Sequence, residues 1–89
     1  SVSFNGKPTL KGDRLSVTLH AKDRGTAHVF AWNGETLASD VVELSRGRHT
    51  VELTVDRDAL GDDGKVLVGW EAQDGGTTSL ASSVKVGKK

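Results

Sequence analysis

Four aspartates fall within one short stretch, Asp56, Asp58, Asp62 and Asp63, and they are the densest set of potential ligands in this chain. Carboxylate oxygens are the hard donors that calcium takes. Ala59-Leu60-Gly61 interrupts the run, and no distal glutamate follows as a helix–loop–helix calcium site requires. Solvated turn aspartates are the expectation, with a structural calcium as the alternative and no other cofactor. The three histidines, His20, His28 and His49, offer imidazole for metal binding or general-base chemistry. No two of them stand at a ligand spacing such as the i, i+4 of a helical zinc pair. No serine lies in a Gly-x-Ser-x-Gly elbow, and Asp74-Gly75-Gly76 joins two strand-like runs without leading into a helix, so no phosphate loop is read there. Arg46 and Arg48 beside Gly47 read as a solvated turn. A glycosidase-like carboxylate pair needs a deep cleft to raise one pKa, which a small sandwich does not offer. No catalytic residue is assigned, and the chain is not expected to be an enzyme.

Aromatic rings bear more directly on function, because a flat exposed ring can stack on the apolar face of a sugar. The chain has only Phe4, Phe30, Trp32 and Trp70. Trp70 shares strand parity with Val66, Val68 and Ala72, which places it in the core. Trp32 stands one residue before Asn33-Gly34, where a sheet would end. A sugar site there would use the Trp32 ring with Asn33 and Glu35 as its polar neighbours.

The elements that position these residues follow from period-two alternation, which recurs in almost every segment. Leu15, Val17, Leu19 and Ala21 alternate with polar residues. So do Val42 and Leu44, then Val51, Leu53 and Val55, then Val66, Val68, Trp70 and Ala72, and last Leu80, Ser82, Val84 and Val86. Asn33-Gly34 between Ala27–Trp32 and Glu35–Ala38 predicts a hairpin with a type I′ turn, in which both central residues hold positive φ. A two-residue loop then pairs Trp32 with Glu35 and Phe30 with Leu37. The Phe30, Trp32 and Leu37 side is expected to be buried, and the Ala27, Val29 and Ala31 side to face out with Thr36 and Ala38. Val41-Val42 breaks the parity, which predicts a bulge or a change of sheet near Ser39-Asp40. Asp56–Gly61 shows no alternation and starts with a capping aspartate, so it reads as one helical turn crossing between sheets with Leu60 as its anchor. With an N-terminal edge piece at Val2–Phe4, the count is about seven strands separated by turn signals, the pattern of an all-β, two-sheet antiparallel sandwich.

At 89 residues the chain is one domain. Residues 1–86 are expected to form the sandwich and 87–89 a tail or linker stub. Lys plus Arg and Asp plus Glu balance at 12 each, so neither nucleic acid nor an anionic membrane is drawn in by long-range attraction. No apolar stretch approaches the roughly 20 residues of a membrane helix, and the first residues lack the regions of a signal peptide. The chain opens inside a strand-like run, as an excised domain or processed product would. Without cysteine there is no disulfide, thiol nucleophile or thiolate metal site.

The run Val66-x-Val68-x-Trp70-x-Ala72-x-Asp74-Gly75-Gly76-x-x-Ser79, ending in Val84-x-Val86, resembles the last two strands of fibronectin type III and related immunoglobulin-like modules. Leu44-x-x-Gly47-x-His49-x-Val51-x-Leu53-x-Val55 is similar to a strand pair common in immunoglobulin-like domains of bacterial extracellular proteins. The tyrosine usual near the start of the penultimate strand is absent here, and so is the tryptophan of the second strand, so the resemblance is to a distant immunoglobulin-like relative. It implies a non-catalytic accessory, spacer or interaction domain of a larger bacterial secreted or surface protein. Its partner would be a neighbouring domain of the same polypeptide or another protein. A carbohydrate-binding module using Trp32 and a small docking or inhibitor domain using an edge strand are the alternatives, and neither nucleic acid nor membrane insertion is expected.

Overall fold

The computed structural model describes residues 1–87, in which strands β1 (Val2–Phe4), β2 (Thr9–Lys11), β3 (Arg14–Ala21), β4 (Gly25–Trp32), β5 (Thr36–Leu44), β6 (Gly47–Thr54), β7 (Lys65–Ala72), β8 (Thr77–Ser83) and β9 (Lys85–Val86) are joined by one short helix, α1 (Arg57–Leu60). They form two sheets. In the first, β3 is central: β6 pairs along one edge, and β1 and β2 share the other, with β9 beyond β2. The second has the order β5-β4-β7-β8. All pairs are antiparallel except β2 with β9. The all-β two-sheet sandwich read from the alternation is the architecture observed. The strand count is higher than expected because Pro8 lies between two short strands on the β3 edge, and because the last run leaves one sheet after Ser83 and joins the other at Lys85. Gly87 still belongs to the sandwich, since its N–H donates to Leu10 O at 2.7 Å. The rest of the expected tail, residues 88 and 89, lies outside the described residues.

The core sits between the sheets. Leu15, Val17 and Leu19 of β3 and Val51 and Leu53 of β6 meet Ala27, Val29 and Ala31 of β4 and Val66, Val68 and Trp70 of β7. Leu60 is fully buried, so α1 anchors the crossover between sheets as its sequence predicts. The Asp56 carboxylate caps it, accepting from the N–H groups of Asp58 at 3.0 Å and Ala59 at 3.4 Å.

Three expectations for the β4–β5 hairpin are corrected. First, the buried face is the small one. Ala27, Val29 and Ala31 are completely buried, whereas Phe30 and Trp32 are only half-buried and stand outside both the core and the shell of side chains packed on it. The reason lies across the sheet, where Ala27 pairs with Trp70. A core about 10 Å thick cannot take large rings from adjacent positions on neighbouring strands, and Trp70 fills the space, so β4 supplies alanine and valine. Second, the turn is not type I′. Gly34 has φ of 78°, and among the described residues none other than glycine has positive φ, so Asn33 does not. Third, Trp32 pairs with Thr36, then Ala31 with Ala38 and Phe30 with Ser39, so the irregularity falls at Leu37 rather than near Ser39-Asp40, and β5 stays in one sheet. The extra residue lets both Leu37 and Ala38 lean on the core.

Candidate binding face on the four-stranded sheet

Since inward positions on β4 are odd-numbered, Thr26, His28, Phe30 and Trp32 all project from the opposite, outer face. The pairings arrange that face in rows. Phe30 lies between Ser39 of β5 and Leu67 of β7, with Ala81 of β8 beyond. Trp32 lies between Thr36 and Lys65, with Ser83 beyond. His28 lies between Val41 and Gly69, with Ser79 beyond. Thr26 closes the end of the face between Glu43 and Glu71. Phe30, Trp32 and Leu67 are half-buried, and Val41, at 59%, is the one exposed large hydrophobic among the described residues.

The outer face of the other sheet has a different character. It carries Ser16, Thr18 and His20 on β3 against Glu52, Thr50 and Arg48 on β6. Thr18 and Thr50 share a hydroxyl hydrogen bond at 3.0 Å, and Arg14 pairs with Glu52 at 3.6 Å. That surface is polar throughout. Among the described residues, the large apolar side chains outside the core and its shell, Phe30, Trp32, Val41 and Leu67, gather on the β5-β4-β7-β8 face.

The three residues expected around a sugar site are not equally free. Trp32 is half-buried on the outer face and Glu35 is exposed in the turn. Asn33 is committed elsewhere: its Nδ2 donates to Leu60 O at 2.9 Å and to Asp63 Oδ1 at 3.0 Å, tying the hairpin tip to the α1 crossover. The residue beside Trp32 on the outer face of β4 is Phe30, followed by His28 with Gly69 across from it. The signal was present in the sequence as the shared parity of His28, Phe30 and Trp32, assigned to the wrong side of the sheet.

The calcium alternative is not supported by the placement of its ligands. Asp56 caps α1, Asp63 accepts from Asn33, and Asp58 and Asp62 are exposed. Among the described residues no group of three or more His, Asp or Glu side chains could hold a metal ion. His49 hydrogen-bonds Ser45 O through Nε2 at 2.8 Å, which holds it in its hairpin, and His20 is exposed on the other sheet. The Asp23 carboxylate accepts from the N-terminal ammonium of Ser1 at 2.7 Å, and that hydrogen bond and charge hold it below the ordinary aspartate value of 3.8. An open cleft lies at the end of the sandwich, between Arg24, Thr26, Glu43, His49, Glu71 and Gln73, and it is continuous with the outer face through the Thr26 row.

Edge docking has an obstacle at β5. Asp40 occupies an inward position opposite Val29 on this edge strand, is exposed, and accepts the backbone N–H of Val41 at 2.9 Å. An inward-placed charge on an edge is a device that discourages further strands from pairing there.

Comparison with protein-family models and with curated proteins finds no match.

Proposed function

We propose that this chain is a non-catalytic accessory module of a larger bacterial secreted or surface protein, and that it works by binding through the outer face of its β5-β4-β7-β8 sheet. The observation that carries this reading is the position of Phe30 and Trp32, two large rings on the outside of a sandwich whose core is complete without them. Rings placed there lie outside the packing between the sheets and give the outer face an aromatic surface for a partner. The sheet order, with β5-β4-β7-β8 facing β6-β3-β1/β2, supports the resemblance to immunoglobulin-like accessory domains. Net charge of zero supports partners other than nucleic acid or a membrane.

Among partners, a neighbouring domain of the same polypeptide and a polysaccharide both fit a flat face, and the half-buried Trp32 favours the sugar. Docking by the β5 edge is disfavoured by Asp40. The test compares the chain with its Phe30→Ala/Trp32→Ala variant for binding to the adjoining purified domains and to polysaccharides. Binding lost while the variant keeps the circular dichroism of the folded chain is the expected result, and binding retained by the variant moves the function off this face.

A further inference from the structure

Gly69 is the residue on this face that packing does not require. It sits in the middle of β7, a central strand, where glycine is destabilising relative to alanine. The buried glycines, Gly25 and Gly64, have a reason in their surroundings. A Cβ on Gly25 would stand 2.5 Å from the Trp70 ring, and one on Gly64 would collide with Leu60. At Gly69 the φ is not positive, and a Cβ would meet only the His28 Cβ, at 3.8 Å, which is ordinary contact. The missing side chain therefore leaves a hollow in the outer face, bordered by His28 across on β4 and Ser79 across on β8. A glycine in a strand interior often marks a bulge, a bend or a site where a ligand or another backbone approaches closely, and the unbroken register of β7 with β4 and β8 through Gly69 removes the bulge.

The occupant has to match what surrounds the hollow. Phe30 and Trp32 ask for flat apolar faces. Every row also carries a polar group beside its apolar one: Ser39 by Phe30, Thr36 and Lys65 by Trp32, Ser79 by Gly69. An apolar protein helix would leave those groups without partners, whereas a pyranose, with C–H faces and hydroxyl edges, satisfies both kinds at once. Glu43 and Glu71 close one end of the face and Lys65 stands beside Trp32 at the other, so the face has no excess of positive charge to draw in an anionic chain.

We infer that the outer face takes a non-anionic polysaccharide chain, with sugar rings stacked on Phe30 and Trp32 and an exocyclic group lodged in the hollow over Gly69. This rests on the reading of that face as the binding surface, and it adds the class of ligand. Affinity gel electrophoresis in hydroxyethyl cellulose, xylan or glucomannan, with polygalacturonate as the anionic control, tests it. At least one neutral polysaccharide retards the chain and polygalacturonate does not. Trp32→Ala abolishes the retardation, and Gly69→Val, which fills the hollow with a strand-favouring side chain, weakens it by at least about tenfold. Near-ultraviolet circular dichroism from Trp70 and an undiminished melting temperature for Gly69→Val show that the variants are folded. Retardation by none of the neutral polysaccharides, or strongest retardation by polygalacturonate, overturns the inference. In that case a Trp32-dependent complex with a purified adjoining domain would still preserve the face as the binding surface. Retardation unaffected by both substitutions overturns the inference and the surface together.

Discussion

The six-membered ring of Trp70 lies on the backbone of Gly25, so closely that a Cβ at Gly25 would stand 2.5 Å from Cζ2 and 2.8 Å from Cη2. This contact organises the sandwich. Trp70 fills the core at that end, Ala27 beside it must be small, and the larger residues of β4 are left for the outer face. Gly25→Ala forces the ring or the Glu71 carbonyl, 2.6 Å away, to move. It should destabilise the fold by about 1–3 kcal/mol, the cost of overpacking a filled core, measured by urea unfolding.

The two tryptophans should separate cleanly. Trp70→Ala opens the core and is expected to lower stability by about 3–5 kcal/mol. Trp32→Ala removes a ring outside the core and should lower it by less, about 1–3 kcal/mol. Equal losses in urea unfolding would mean that Trp32 is a core residue. Trp70→Phe carries a further expectation, because Trp70 Nε1 is buried without a hydrogen-bond partner. Removing that unpaired donor offsets part of the lost volume, so Trp70→Phe should be much milder than Trp70→Ala.

Asn33 holds the hairpin tip to the crossover. Asn33→Ala removes its bonds to Leu60 O and Asp63 and should cost about 1–2 kcal/mol of stability while leaving sugar binding in place. Loss of binding at unchanged stability would instead make Asn33 a ligand contact.

Asp56 is a helix cap. Asp56→Ala should reduce stability by about 1 kcal/mol, and added calcium should not raise the melting temperature of the unsubstituted chain. A calcium-dependent rise that chelator reverses would restore the aspartate run as a metal site.

Asp23 gives a pH dependence of known sign. Its folded-state pKa is depressed, by the N-terminal ammonium first, so its contribution is present above the ordinary value of 3.8 and is lost as the pH falls toward the lower native value. The difference in melting temperature between the chain and its Asp23→Asn variant should be constant from pH 5 to 7 and shrink below about pH 4. Both groups are exposed, so the difference will be small.

Strand positions, the Asp56 cap and the Leu60 anchor were legible in the sequence because each depends on residues close together in the chain. The face of β4 was not. Aromatic size argued for burying Phe30 and Trp32, and what decides otherwise is the pairing of Ala27 with Trp70, more than forty positions away. Strand parity identifies which residues share a side; it does not say which side meets the other sheet. The hairpin register failed for a related reason, since the Asn33 side chain is engaged by α1 and the extra residue at Leu37 is held by the core. The hollow at Gly69 was hidden because a glycine in a strand looks the same whether a ring fills its space or nothing does.

The central claim, that the outer face of the β5-β4-β7-β8 sheet is the binding surface, is tested most directly by mapping amide chemical shifts while a neutral oligosaccharide from a retarding polysaccharide is titrated in. The predicted result is a set of shifts centred on Phe30, Trp32, Leu67 and Gly69, with the amides of β3 and β6 unchanged. Shifts centred on β3 and β6, or no shifts at a saturating concentration, would contradict it.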